Sequence, residues 1–287
     1  MNGRKCDICA GERFSPFETI QYRGMDINYL ICDVCGLVFQ HPSPSYQEIV
    51  FRVNAKRWTH DERRRDYWID YIRAERMKKM LAQNVPPPRS ILDVGCRYGH
   101  LMSTLGPGAK TTRVGLEENA NLRNIAQKYA VGNQVYPNLG YIKGGFFDLI
   151  TITHNLELLK KPSVTLYTLR RFTAPDGKLV VETPNFLVHP SLRRDSLYAF
   201  TAETLTNMLA VTGWEVIWLK RHGHPDHTKL DLYLTALCRP AERIARRLVL
   251  PPGEIKKKRR FGQLKRLFAM TIYGGGTDVD TTGGYMV

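Results

Sequence analysis

The sequence predicts an α/β fold in which helices wrap a parallel sheet, preceded by a small cysteine-rich unit. Between residues 86 and 240, apolar strand-like runs alternate with helical patterns, which is typical of parallel strands joined by helices. Four of the six cysteines lie near the start as two CxxC pairs. The 287 residues are 43% hydrophobic and 24% charged, which suffices for a packed core, and no stretch approaches the ~20 apolar residues that span a bilayer.

The first unit, residues 1–45, carries the cysteine pairs Cys6/Cys9 and Cys32/Cys35. The chain shows no basic start followed by an apolar run, so we expect a cytoplasmic location and favour metal binding over disulfides. Two thiolates at each of two tight turns complete a tetrahedral set of four sulfurs, which suits zinc and leaves no position for water. We therefore expect structural zinc in a ribbon with short strands between residues 14 and 29. Four unrelated cysteines are the alternative.

A helical connector is predicted at residues 46–85, after a proline-closed stretch at 36–44 that is typical of a linker. Between 61 and 83, apolar residues recur near helical spacing, and basic residues on the other faces either meet solvent or bind an anion. Three consecutive prolines at 86–88 end the helix. The apolar positions that follow this spacing are Trp68, Ile69, Ile72, Met80 and Leu81.

The main domain, residues 86–240, alternates strands and helices in chain order. Strands are predicted at 90–95, 112–117, near 134, and at 146–154, 177–183, 214–220 and 230–238. Helices are predicted at 99–105, 120–130, 162–172 and 201–212. The segment HGHPDH at 222–227 falls between the last two strands, and we expect an exposed loop there rather than a second metal site.

The segment from Ile91 to Gly99 runs from a buried strand directly into a helix. Gly95 and Gly99 let the backbone approach a ligand closely, at the carboxyl end of a strand, where open α/β sheets bind their ligands. Glu117 ends the next strand, and an acidic side chain there can accept hydrogen bonds from both ribose hydroxyls of a nucleoside. Together these features predict a nucleoside-containing ligand.

Five segments resemble the successive motifs of class I S-adenosylmethionine-dependent methyltransferases: ILDVGCRYGHLM, VGLEEN, FDLITITHNLELLKKP, LVVETPN and YAFTAETLTNMLAVTGWEV. The ribbon-plus-domain order is similar to that of bacterial enzymes that methylate sugars or related small molecules. The resemblance implies a Rossmann-like seven-stranded sheet whose last two strands form an antiparallel hairpin. It also implies that Asp93, Gly95 and Gly99 hold the methionine portion of S-adenosylmethionine and that Glu117 holds its ribose. Arg97 replaces the usual middle glycine, so we expect its side chain to point away from the cofactor.

Methyl transfer is an in-line displacement, so the protein mainly aligns the acceptor and removes a proton from an oxygen or carbon nucleophile. The HNLE segment after the fourth strand is similar to the HxxEH pattern of the family, without its second histidine. His154 is the candidate general base and Glu157 the residue that orients it, although His154 could instead only pack beside the cofactor. His189, with Arg193 and Arg194 nearby, is expected on the acceptor side, where the arginines could clamp a phosphate or carboxylate.

Residues 241–287 are predicted to form a basic, amphipathic and partly disordered tail. The whole chain has 42 Lys and Arg against 27 Asp and Glu, a formal net charge of +15, and many of the basic residues lie in this tail. Such an excess favours anionic partners. We expect either attachment to an anionic membrane surface or an ordinary solvated tail.

These observations predict a methyltransferase that uses S-adenosylmethionine and acts on a small-molecule or glycan acceptor that carries negative charge. The acceptor classes expected are sugars, nucleotide sugars and lipid-linked glycans, and we expect the enzyme in the cytoplasm, with attachment to the inner membrane surface as one of the two alternatives for its tail. A nucleic-acid methyltransferase is a less favoured alternative, because the catalytic strand lacks the Asn/Asp-Pro-Pro-aromatic signature of amino-group methylation. A catalytically degenerate binding protein is the third reading.

Overall fold

The computed structural model describes residues 4–22, 25–45, 47–48, 60–130, 132–190, 192, 195–242 and 250–272. The strands are β1 (Phe14–Tyr22), β2 (Met25–Cys32), β3 (Val38–Gln40), β4 (Ser90–Val94), β5 (Thr112–Leu116), β6 (Asn133–Tyr136), β7 (Phe147–Thr153), β8 (Thr173–Pro184), β9 (Tyr198–Ala199), β10 (Trp214–His222) and β11 (Tyr233–Pro240). The helices are α1 (His60–Leu81), α2 (His100–Leu105), α3 (Ala120–Tyr129), α4 (Pro162–Leu169), α5 (Ala202–Val211) and α6 (Pro252–Ile272).

The larger sheet has seven strands in the order β10-β11-β8-β7-β4-β5-β6. Strands β4, β5, β6, β7 and β8 run parallel, whereas β11 pairs antiparallel with both β8 and β10. This confirms the predicted α/β fold and its terminal antiparallel hairpin. Because parallel strands end at the same edge, the residues that follow β4, β5, β7 and β8 lie together, and the candidate site forms there.

The smaller sheet is antiparallel, in the order β1-β2-β3-β9. Residues 36–44 were expected to be a linker, and that expectation was wrong, because β3 pairs with both β2 and β9. Val38 and Phe39 are buried, and Gly36 turns the chain at φ +77° so that β3 folds back on β2. Since β9 belongs to the chain after β8, the small sheet is joined to the main domain by backbone hydrogen bonds.

Helix α1 forms where the sequence predicted it, but its packing face is different. Trp68 and Ile72, expected to follow an apolar face, are 57% and 42% exposed. The residues of α1 that pack in an apolar cluster with the sheet are Ala74, Met77 and Leu81, of which Leu81 was predicted, and Asp66 is buried against Arg97 and Tyr98 after β4. The apolar pattern failed because this helix is held to the domain by polar contacts as well as by apolar ones. Among the described helices, none is long and apolar enough to cross a membrane.

The basic tail contributes a folded element. Helix α6 packs on the body of the protein through four buried positions, Ile255, Arg259, Gly262 and Ala269. The end of the tail, expected to be disordered, and part of the predicted basic segment after residue 241 lie outside the described residues.

Candidate active site

The loop after β4 depends on left-handed backbone conformations. Gly95, Arg97 and Gly99 have φ angles of +79°, +48° and +82°. A Cβ atom on Gly95 would lie 2.4 Å from the Asn155 side-chain nitrogen, so only glycine fits there. The loop is thereby brought against Asn155, which follows β7. Arg97 adopts a backbone conformation that costs a residue with a side chain of the order of 1 kcal/mol or more.

Glu117 lies buried at the carboxyl end of β5, next to this loop. Its Oε2 accepts a hydrogen bond from the backbone N–H of Arg97 at 3.0 Å, and its Oε1 accepts one from that of Asn119 at 2.8 Å. Burial raises the pKa of the Glu117 carboxyl. Each carboxylate oxygen keeps a further lone pair, so the side chain is fixed in place and can still accept a hydroxyl donor such as a ribose.

Asp93 is buried within β4, and its Oδ1 accepts a hydrogen bond from Thr151 Oγ1 at 2.7 Å. Burial raises the pKa of Asp93 to about 7. The carboxyl is therefore poised between its neutral and charged forms near neutral pH, and a nearby cation would favour the charged form.

The Arg97 side chain extends to α1. It forms ion pairs with Asp66 and, at 3.3 Å from Nε to Oδ1, with Asp70. Tyr98, the next residue of the loop, donates its hydroxyl to Asp66 at 2.8 Å. These contacts tie the loop after β4 to helix α1 and balance the charge of the residue that replaces a glycine.

A buried carboxylate holds two histidines at the ends of β7, β8 and β10. His154 Nε2 lies 2.9 Å from Glu182 Oε1. Glu182 Oε2 accepts a hydrogen bond from Thr235 Oγ1 at 2.7 Å and lies 3.3 Å from His222 Nε2. His154 has φ +49°, a strained conformation of the kind that collects at functional sites. One carboxylate therefore positions both imidazoles.

The protonation states in this cluster follow from burial and contact. Burial alone would raise the pKa of Glu182, but the contacts with His154 and His222 hold it well below its usual range. Burial, together with Arg73, lowers the pKa of His154. These directions leave the carboxylate charged and His154 neutral at neutral pH, and the contact with Glu182 then assigns the His154 proton to Nε2. Its Nδ1 then carries a lone pair, and this buried atom has no hydrogen-bond partner among the described residues.

Tyr233 forms the wall of this cluster. Its ring centroid lies 5.0 Å from that of His154 and 5.5 Å from that of His189, which is also buried. Its hydroxyl donates to Asp226, and Asp226 lies 3.6 Å from an Arg73 guanidinium nitrogen. The expectation that 222–227 is only an exposed loop was therefore wrong, because Asp226 packs against Tyr233. Arg193 and Arg194, expected near His189, lie outside the described residues.

Glu157 is buried in the 3-10 turn Leu156–Leu158, and its Oε2 accepts a hydrogen bond from Thr183 Oγ1 at 3.2 Å. The carboxylate in contact with His154 is Glu182, which the sequence reasoning did not single out. A signal was available, because Glu182 is an acidic residue inside the apolar strand LVVETP.

A pocket of about 280 Å³ opens beside the cluster, between α1 and the strand ends. It is lined by Arg73, Arg76, Met77, Lys79, Met80, Glu182, His222 and His224. Three of these side chains are basic, with Arg73 paired with Asp226, and the one carboxylate of the lining is engaged with two histidines. Burial and the neighbouring Arg76 lower the pKa of His224, another sign of positive potential. The pocket therefore suits an anionic group.

The four N-terminal cysteines meet at one point. The Sγ atoms of Cys6, Cys9, Cys32 and Cys35 all lie within 4.8 Å of one another, with Cys6 to Cys35 at 3.5 Å and Cys9 to Cys32 at 3.6 Å. A tetrahedral ion with Zn–S bonds of ~2.3 Å requires sulfur separations of roughly 3.8 Å. The described thiols are free rather than joined as disulfides. The residues present thus fit one structural zinc ion with no open position.

Comparison with known proteins gives a family and a fold. A family model described as a methyltransferase domain matches residues 60–223. No curated protein matches the chain. A chain from the complex of the Haloferax volcanii Trm112 methyltransferase activator has a TM-score of 0.53 and 12% identity, covering 63% of this chain and 95% of that chain. The sugar N-methyltransferase KedS8 from Streptoalloteichus sp. has a TM-score of 0.49 and 16% identity, covering 64% of this chain and 94% of that chain. At such low identities a likeness concerns the fold alone, and only the first, whose TM-score exceeds 0.5, bears on the argument.

Proposed function

Because the chain belongs to the methyltransferase-domain family, we propose that it methylates an oxygen or carbon of a small anionic acceptor, with His154 as the general base. The methyl donor of the family is S-adenosylmethionine. We infer that the acceptor is a sugar derivative whose negative charge lies on a phosphate, as in a nucleotide sugar or a lipid-linked glycan.

The observation that carries this proposal is the position of the His154–Glu182–His222 cluster. It stands at the same sheet edge as the loop after β4, and Asn155, the neighbour of His154, packs against Gly95 of that loop. On its other side the cluster borders the basic pocket. A methyl donor held by the loop and an acceptor held in the pocket would therefore meet beside His154.

When bound, S-adenosylmethionine supplies an electrophilic methyl group on a sulfonium. The residues of the chain supply the rest. Glu182 accepts the Nε2 proton of His154 in a hydrogen bond, which leaves the Nδ1 lone pair able to take the proton of an acceptor hydroxyl or acidic C–H. As His154 becomes positively charged, Glu182 stabilises it. In this proposal Arg76 and Lys79, which line the pocket, hold the anionic group of the acceptor, and Asp93, Gly95, Gly99 and Glu117 hold the donor.

The direct test is methyl transfer from labelled S-adenosylmethionine with three acceptor classes: nucleotide sugars, neutral monosaccharides and RNA. We expect label in nucleotide sugars. His154→Ala should lower kcat by about 10²–10⁴ while leaving the affinity for S-adenosylmethionine unchanged. The double variant Arg76→Ala, Lys79→Ala should raise the acceptor KM, whereas Lys143→Ala, which removes an exposed cation elsewhere, should not.

Two outcomes would contradict the proposal. Failure of the zinc-loaded protein to bind S-adenosylmethionine in calorimetry would remove the methyl donor. Label transferred to RNA, with a steep decrease in binding as salt rises, would establish the nucleic-acid alternative instead.

A further inference from the structure

Helix α6 has one face that is anchored to the protein. Arg259 donates to the Phe186 carbonyl, and Gln263 donates to the Val188 carbonyl at 3.1 Å. Gly262 lies so close to the Leu187 carbonyl that a Cβ atom would be 2.1 Å from it. Ala269 packs in an apolar cluster with Tyr233. The helix therefore has a fixed orientation, and the opposite face is held outward.

The outward face of α6 is apolar. Its large side chains are between 55% and 71% exposed: Phe261, Leu264, Leu267, Phe268 and Ile272. Phe261, Leu264, Phe268 and Ile272 are spaced three or four residues apart, so they form one stripe along the helix. At 100° per residue, that stripe is centred roughly opposite the anchored positions Ile255, Arg259 and Gly262. A stripe of this size on one helix is unusual for a surface that meets only water.

Basic residues line the stripe. The helix carries Lys256, Lys257, Lys258, Arg259, Arg260, Lys265 and Arg266, and its one acidic residue is Glu254 in the first turn. On the helical projection, Lys258 and Lys265 flank one side of the stripe and Arg260 flanks the other. Lys256 instead donates to the Pro16 carbonyl at 3.2 Å. An apolar stripe bordered by lysine and arginine is the pattern of a helix that lies in the interface of an anionic membrane.

We propose that α6 binds the surface of an anionic lipid bilayer, with Phe261, Leu264, Phe268 and Ile272 entering the acyl boundary and the flanking cations contacting lipid phosphates. Charge favours this occupant over a second copy of the chain, because two copies meeting at this face would bring their lysines together. The proposal concerns location, and it stands whether or not the acceptor of the proposed reaction is a glycan.

The anchored face connects this surface to the candidate active site. The backbone that α6 contacts at 186–189 follows β8 and includes His189, whose ring lies against Tyr233. Membrane binding would therefore hold the acceptor side of the site near the lipid surface. This arrangement suits an acceptor that is itself attached to a lipid.

The test is co-sedimentation of the full chain with vesicles of phosphatidylcholine alone and of phosphatidylcholine with phosphatidylglycerol. We expect binding that requires the anionic lipid and weakens as salt rises. The triple variant Phe261→Ser, Leu264→Ser, Phe268→Ser should lower the partition coefficient by about tenfold or more, and Lys258→Glu with Lys265→Glu should remove the preference for anionic lipid. The double variant Tyr141→Ser, Phe146→Ser, which removes exposed aromatic residues elsewhere, should bind as the unaltered chain does.

Thermal unfolding of each variant checks the fold, and we expect no shift, because the replaced side chains are exposed. Equal binding to neutral and anionic vesicles, or binding unaffected by the triple variant, would overturn the proposal. So would a dimer in sedimentation velocity that the triple variant dissociates, because the stripe would then be a contact between copies.

Discussion

The buried carboxyl of Asp93 should make the stability of the protein depend on pH in an unusual direction. Burial raises the pKa of Asp93 to about 7, against an ordinary value of 3.8. A carboxyl whose pKa is higher in the folded state stabilises the fold when it is protonated. That contribution is complete below the unfolded pKa and is lost as the pH rises through the folded pKa. We therefore expect Asp93→Asn to be more stable at alkaline pH, relative to the unaltered chain, than at acidic pH.

The expected magnitude follows from the two pKa values. They differ by about three pKa units, each worth about 1.4 kcal/mol, so the full penalty above pH 7 is about 4 kcal/mol. Between pH 5 and pH 8 the free energy of unfolding of the unaltered chain should fall by about 3 kcal/mol because of this one group. Asparagine does not titrate, and its carbonyl can still accept the hydrogen bond from Thr151. Its amide needs a partner, which costs about 1–3 kcal/mol. At pH 8, Asp93→Asn should therefore raise the free energy of unfolding by about 1–3 kcal/mol relative to the unaltered chain.

Urea unfolding at several pH values between 5 and 8 measures this difference for the ligand-free protein. Asp176→Asn, a substitution of an exposed aspartate, is the control and should follow the unaltered chain at every pH. Equal pH dependence for Asp93→Asn and the unaltered chain would refute the reasoning. In the same variant we expect weaker binding of S-adenosylmethionine, because the charged form of Asp93 is no longer available.

Three further predictions concern other parts of the protein. Glu182→Gln should lower kcat by about 10²–10³ and shift the acid limb of the kcat/KM profile to lower pH, because the Glu182 carboxylate raises the pKa of His154. Glu215→Gln is the control. A profile that Glu182→Gln leaves unshifted would exclude a role for Glu182 in setting the pKa of His154. Cys32→Ser, or chelation of the unaltered chain, should remove one zinc per chain in elemental analysis and destabilise the small sheet, as far-UV circular dichroism and thermal unfolding would report. Arg97→Ala should lower the free energy of unfolding by about 2–3 kcal/mol, because it leaves the buried Asp66 without its cation. Arg97→Gly should lower it by about 1 kcal/mol less, because glycine tolerates the positive φ. Equal free energies of unfolding for the two variants would contradict backbone strain at this position.

The sequence was sufficient for features that depend on neighbours in the chain. Gly95 and Gly99 mark their turn by being the residues that tolerate positive φ, and Glu117 marks the end of its strand. The four cysteines come in pairs whose spacing already limits their geometry. The His154 cluster differs, because Glu182 and His222 lie in strands that are adjacent to β7 or β11 only through the order of the folded sheet. Glu182 stands out as an acidic residue in an apolar strand, but no local spacing connects it to His154, so their pairing could be assigned only from the fold.

Helix α1 shows the physical reason most clearly. Trp68 and Ile72 predicted the wrong face, since Asp66, Asp70 and Arg73 turn toward the domain along with Ala74 and Met77. Asp66 and Arg73 are two turns apart, about 10 Å along the axis. Asp66 reaches Arg97 in the loop after β4, and Arg73 lines the basic pocket and reaches Asp226 beside Tyr233. A rigid helix with a charged contact at each position couples the placement of the loop to that of the pocket. The charged residues that interrupt the apolar pattern of α1 are therefore the groups that fix the loop after β4 and the basic pocket relative to each other.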